Sequence, residues 1–241
     1  MSEQRKWYSI KALSQSSSEI YIYDEIGMFG YSAQDFIAEL GENLTDIDIH
    51  LNSPGGDVFD GLAIATALRN HPAKVTVYID GMALSIASVI AMAADEVIMA
   101  ESAMMMIHNP WTFVDGDSSE LRKSADVLDK TKKSLINAYI TKTGMSEQEI
   151  SDLMDAETWM TAKEAVDMGF ADIISAPVKI AANFDLSIYN HAPASLLPDL
   201  KEEDMKMPTK DPVVKSKVDQ ATIVAKAEPV VAIAAQAVDV N

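Results

Sequence analysis

The chain has 241 residues, 48% of them hydrophobic, which is enough apolar material for one well-packed domain with an appendage or for two small domains. Its 37 acidic and 19 basic residues leave a formal net charge of −18 with no Lys/Arg cluster, which argues against nucleic acid and anionic membranes as partners. No cysteine is present, so disulfides, thiolate metal sites and a cysteine nucleophile are excluded, and the 14 methionines read as adaptable packing, not as a metal site.

Residues 1–7 are polar and charged, unlike a secretory signal. The most apolar stretch, residues 82–94, contains Ser85 and Ser88 and is too short to span a bilayer. A soluble, cytoplasmic protein is expected. Residues 7–13 and 19–23 predict two strands joined by a serine-rich turn, the second rich in β-branched and aromatic residues. Residues 32–40 predict a helix, with Phe36, Ile37 and Leu40 on one side. A strand over 47–51 runs into the loop Asn52-Ser53-Pro54-Gly55-Gly56. A helix over 57–69 follows, stopped by Asn70-His71-Pro72. Residues 74–79 predict a strand, and a small-residue segment from Gly81 leads into a buried helix over 85–94. Residues 96–99 and 103–107 predict two more strands. This alternation points to an α/β domain with a largely parallel sheet.

Beyond His108-Asn109-Pro110 the pattern turns helical. Asp117 and Glu120 form a capping-box pattern ahead of one long amphipathic helix over 118–139. Ser146 with Glu149, and Thr161 with Glu164, predict two further boxed helices, the last stopped by Gly169. The domain is expected to cover residues 1–180. Residues 181–241 hold five of the 9 prolines and no glycine, have weak periodicity, and read as a flexible extension.

Four histidines limit the candidates for His-dependent chemistry. His191 lies in the extension, His71 at a helix stop where a turn role is expected, and His50 within a strand, facing either way. His108 closes an apolar strand at a tip where catalytic groups project, or serves there as a hydrogen-bonded structural histidine. Ser85 follows a strand and opens a helix. That suits a nucleophile turn, though not the Gly-x-Ser-x-Gly form, and it equally suits an N-cap. The helix start favours an anionic intermediate. Ser88 reads as a small packing residue. The Pro54-Gly55-Gly56 turn is either an ordinary βα loop or a donor of glycine N–H to an oxyanion beside an edge that pairs with an extended peptide. It lacks the Gly-Lys-Ser/Thr end of a phosphate loop.

In their order and spacing, four stretches resemble the Clp protease proteolytic subunit within the ClpP/crotonase superfamily. They are the Asn52–Gly56 loop, Gly81-Met82-Ala83-Leu84-Ser85, Met106-Ile107-His108-Asn109-Pro110, and Thr161-Ala162-Lys163-Glu164-Ala165 with Gly169-Phe170-Ala171-Asp172. The resemblance covers about residues 17–175. It implies a ClpP/crotonase-type α/β fold of stacked βα units with a protruding long helix. Carried over by position, it implies Ser85 as nucleophile, His108 as base, and the backbone N–H groups of Gly56 and Ile86 as oxyanion donors. Gly55 and Pro110 would border a polypeptide substrate. The acid falls on Glu157, where housekeeping members have aspartate, with Asp155 as the fallback. No metal or organic cofactor is implied. Homo-oligomeric rings are, commonly stacked heptamers that meet through the long helix. Glu157-Thr158-Trp159-Met160-Thr161 is most similar to bacteriophage and prophage head-maturation peptidases. That branch implies capsid, portal or scaffold proteins as partners, and the host cytoplasm or prohead interior as location. A crotonase-like acyl-CoA enzyme would not need Ser85 and His108 together. A Ser–Lys dyad lacks a placed lysine. A catalytically silent scaffold, with Ser85 only a cap, is the third rival.

Overall fold

A computed structural model describes residues 6–177, 186 and 188–193. The expected extension, apart from residues 186 and 188–193, lies outside the described residues. The elements follow the expected order, with two strands, β7 and β8, added: β1 (Tyr8–Ala12), β2 (Ser17–Ile22), α1 (Ala33–Glu39), β3 (Asp46–Ser53), α2 (Val58–Asn70), β4 (Lys74–Leu84), α3 (Ile86–Ala91), β5 (Glu96–Ala100), β6 (Met104–Ile107), α4 (Ser118–Thr143), α5 (Glu147–Asp155), β7 (Thr158–Thr161), α6 (Ala162–Asp167) and β8 (Ile173–Ser175).

The strands form one mixed, largely parallel sheet in the order β1-β2-β3-β4-β5-β8, with β6 and β7 branching from β4. β1 and β2 are an antiparallel hairpin, and β6 with β7 is the other antiparallel pair. Period-two alternation sets the register. Ile47, Ile49 and Leu51 of β3 are buried, whereas Asp48 and His50 face partly outward. His50 therefore lies on the far sheet face from the helices, stacked between Tyr21 and Tyr78.

β4 is longer than its sequence suggests. The strand predicted to stop near residue 79 continues to Leu84, because Met82–Leu84 pair with β6 after Thr76–Ile79 have paired with β5. The small residues that read as a loop are the branch point of the sheet, and they carry Ser85 to its tip. The strands β7 and β8 were not expected; each is too short for its own periodicity and is held by its neighbours β6 and β5. The three predicted capping boxes form on α4, α5 and α6. α4 projects: its first half is largely exposed, while Thr131, Leu135, Ile136, Ala138 and Tyr139 anchor its second half in the core.

Candidate active site

Ser85 sits between β4 and α3 with φ 54 and ψ −128, a conformation that residues other than glycine rarely adopt. Packing on both sides maintains it. The Ser85 N–H donates to the Met106 carbonyl at 2.9 Å, and the Ser88 N–H donates to the Ser85 carbonyl at 3.0 Å. The side chain does not cap α3. Instead Ser85 Oγ lies 2.8 Å from His108 Nε2, with His108 held at the end of β6. The cap and the nucleophile readings of Ser85 thus separate: the hydroxyl is directed to the imidazole.

The Asn52–Gly56 loop lies against this pair. Ser53 Oγ donates to the Asp24 carbonyl at 2.7 Å and accepts the Gly55 N–H at 3.2 Å. Ile26 bridges to Gly56 through Ile26 N–H to Gly55 O at 2.7 Å and Asp57 N–H to Ile26 O at 2.9 Å. Only glycine fits here. Gly55 has φ 106 and a Cβ on it would stand 2.8 Å from Ser85 Cβ; at Gly56, with φ 140, a Cβ would stand 2.2 Å from the Ile26 carbonyl oxygen. Among the described residues neither the Gly56 nor the Ile86 N–H donates to a protein acceptor. Gly55, Gly56, Ser85, His108 and Pro110 line one groove of about 640 Å³, together with Trp111 and Tyr189.

The two candidate acids differ in surroundings. Asp155 accepts from Asn109 Nδ2 and pairs with Lys132, each at 2.7 Å, on the exposed side of α5. Those two hydrogen bonds hold its carboxyl below the usual aspartate range. Glu157 is buried, with φ 48. Its carboxylate accepts the His191 N–H at 2.6 Å, the Asn190 N–H at 3.0 Å and the Trp159 indole N–H at 3.3 Å. Burial pushes the Glu157 carboxyl up, but those donors and the nearby His108 outweigh it, leaving its pKa below the ordinary glutamate value. No hydrogen bond joins Glu157 to His108; the two interact by charge through space. Burial lowers the His108 pKa, and the Glu157 charge opposes that shift without cancelling it.

Three contributors were not legible as site residues. Ser88, read as a packing residue, donates its hydroxyl to the Ser85 carbonyl at 2.6 Å and contacts the Tyr139 hydroxyl at 2.8 Å. The Ser85-x-x-Ser88 spacing is the local signal for such back-bonding; nothing local marks Tyr139. The third is Tyr189, in the stretch assigned by composition to the extension. Its ring meets His108 edge-on at 5.4 Å, its hydroxyl donates to the Pro54 carbonyl, and with Leu186 it packs on Leu84 and Met106. Among the described residues, no cluster of His, Asp and Glu is placed to hold a metal ion, and no helix is long and apolar enough to cross a membrane.

The chain matches the family model described as Clp protease over residues 2–177. It is 32% identical over 151 residues to the ATP-dependent Clp protease proteolytic subunit 1 of Streptomyces avermitilis, covering 62% of this chain and 70% of that protein. It is also 32% identical over 146 residues to the ATP-dependent Clp protease proteolytic subunit of Streptococcus agalactiae, covering 59% and 74%. A subunit 1 of Protochlamydia amoebophila is 32% identical over 165 residues, covering 65% and 79%. The matched region spans the parallel sheet, the Asn52–Gly56 loop and the Ser85–His108 pair, and on that match the chain belongs to the Clp protease family of serine peptidases.

Proposed function

We propose that the chain hydrolyses peptide bonds with Ser85 as nucleophile, His108 as general base and Glu157 as the acid of the triad. The observation that carries this reading is the 2.8 Å approach of His108 Nε2 to a Ser85 hydroxyl that caps nothing. A neutral His108 takes the Ser85 proton as Oγ attacks the carbonyl carbon, and the Gly56 and Ile86 N–H groups receive the developing oxyanion. Removing one such donor costs about 2.7–4 kcal/mol. His108 then passes its proton to the leaving amine, and water, deprotonated by His108, hydrolyses the acyl-enzyme. Glu157 stabilises the imidazolium by charge. Asp155, already paired with Lys132 and Asn109, is the weaker candidate. Gly55 and Pro110 border the path of an extended substrate along the groove. No step calls for a metal or organic cofactor.

The test is a fluorophosphonate probe with the adduct mapped by peptide mass spectrometry. Label on Ser85 that is lost in His108→Ala supports the pair. An unlabelled serine in folded, assembled protein would sink the reading and favour a silent scaffold or an acyl-CoA enzyme.

The proposal extends to assembly and substrate. The exposed first half of α4, with Leu121 and Val127 outward, suits contact between copies in a ring or in stacked rings. The similarity of Glu157–Thr161 to phage members, together with the expected extension after residue 181, supports phage capsid, portal or scaffold proteins as substrates. The place of action would then be the host cytoplasm or prohead interior. Co-expression with such head proteins, wild type against Ser85→Ala, tests this: identical head-protein masses in both would remove the substrate assignment.

A further inference from the structure

The backbone of Ser85 is pinned at both ends, and one of the pins reaches into α4. The Ser88 hydroxyl has a single proton, which it gives to the Ser85 carbonyl at 2.6 Å. The Tyr139 hydroxyl, 2.8 Å from Ser88 Oγ, must therefore be the donor in that contact. Tyr139 is 1% exposed and Ser88 0% exposed, so neither hydroxyl has water as an alternative partner. Burial raises the Tyr139 pKa, which keeps the phenol protonated as a donor. The result is a directed chain from α4: Tyr139 O–H to Ser88 Oγ, and Ser88 O–H to the Ser85 carbonyl.

The Ser85 carbonyl and the Ile86 N–H are the two ends of one planar trans peptide, so they point in opposite directions and turn together. Holding the carbonyl inward on Ser88 holds the N–H outward toward the groove. Half a turn of this peptide would present a carbonyl oxygen where the N–H stands, and the site would repel an oxyanion instead of binding it. The positive φ of Ser85 makes such a turn a competitor, which the Ser88 N–H, 3.0 Å from the same carbonyl, opposes together with the hydroxyl.

We propose that Ser88 and Tyr139 are positioning residues for the oxyanion hole, fixing the Ser85–Ile86 peptide with its N–H aimed at the reacting carbonyl. This rests on the assignment of Ser85 as nucleophile and Ile86 as oxyanion donor. It ties the long helix to the chemistry through hydrogen bonds.

The experiment compares Ser88→Ala, Tyr139→Phe and the double variant, using a peptide ester substrate, a peptide aldehyde inhibitor and thermal melting. Ser88→Ala is expected to lower kcat about 10- to 100-fold, somewhat less than outright loss of a donor, which lowers kcat about 10²–10³-fold. KM and the acid limb of the pH profile stay in place, since neither the groove nor His108 is touched. The Ki of the aldehyde, which forms a tetrahedral adduct, rises by the same factor. Tyr139→Phe has a smaller effect in the same direction. Ser88→Ala also orphans the buried phenol and lowers Tm; the double variant removes both polar partners and restores Tm. If the residues act by positioning, kcat stays low in the double variant although Tm returns. Recovery of kcat together with Tm would reduce them to packing and overturn the proposal, as would full kcat in Ser88→Ala. A wild-type chain without label on Ser85 overturns the parent assignment, and this proposal with it.

Discussion

In the proposed mechanism His108 can act as a base only while it is neutral, and its burial works toward that state. Its pKa lies below the free imidazole value of about 6.5, so the acid limb of kcat/KM is expected below pH 6.5. Glu157 opposes the shift. Glu157→Gln should therefore move the limb still lower and reduce kcat by roughly 10- to 100-fold. That is less than the ~10⁴-fold loss seen where the acid is hydrogen-bonded to the histidine, because the influence here is through-space charge. A pH–rate series on both proteins checks the sign. His50 behaves in the opposite way. Its Nδ1 lies 2.7 Å from Asp80, which also accepts the Tyr23 hydroxyl at 2.5 Å, and Glu19 stands 3.8 Å from its Nε2. The hydrogen bond to Asp80 raises the His50 pKa against desolvation. Stability from this pair is fully present below about pH 6.5 and is lost as pH rises through the higher folded value. NMR titration should place His50 above 6.5 and Asp80→Asn should bring it down; an unmoved midpoint would exclude Asp80 as the cause. Both histidines stood in the sequence as candidates. Which one met a serine and which a carboxylate depended on strand ends and faces that period-two reading left open.

Between elements, α2 packs tightly on α3 at Gly61 and Ile86. A Cβ at Gly61 would fall 2.1 Å from Ile86 Cγ1, so Gly61→Ala, benign for helix propensity, must displace Ile86. Overpacking of this kind costs about 1–3 kcal/mol. Here it should also cut kcat, because the Ile86 N–H moves with the side chain; denaturant melts with initial rates on the same preparation will show whether both fall. The stretch around Tyr189 makes a second expectation. Its ring covers His108 and its hydroxyl is tied to the Pro54 carbonyl, so Tyr189→Ala should open the groove. Fluorophosphonate labelling of Ser85 should then quicken and the His108 pKa rise toward 6.5 as burial is relieved; slower labelling would mean that this stretch supports the site instead of covering it. Compositional reading placed Tyr189 in the extension because a segment that packs only on distant elements carries no periodicity of its own. The same reason hid β7 and β8, whose hydrogen bonds all come from β6 and β5. The capping boxes, by contrast, were legible because both partners of each lie within four residues.

The whole chain carries a formal charge of −18 and projects the exposed half of α4 with Leu121 and Val127 outward, Val127 lining a cleft with Trp111 of the preceding loop. Like charges oppose association and salt screens them, so assembly through this face should strengthen with ionic strength. Sedimentation velocity across a salt series should show larger species for the wild type and loss of them in Val127→Asp; indifference to that change would place the interface elsewhere. The order of elements apart from β7 and β8, the helix caps, the glycine turn and the Ser85 and His108 candidates are local patterns, set by hydrogen bonds and side-chain periods within a few residues, and the amino-acid sequence was sufficient for them. The sheet branch at β4, the release of the Ser85 hydroxyl from capping to His108, the engagement of Glu157 by the 190–191 backbone and the reach of Tyr139 to Ser88 each join groups 20 or more residues apart. Burial and long-range hydrogen bonding select those arrangements, and both exist only once the chain has packed. The proposed nucleophile, named from its neighbours in sequence, is thus aimed by neighbours in space.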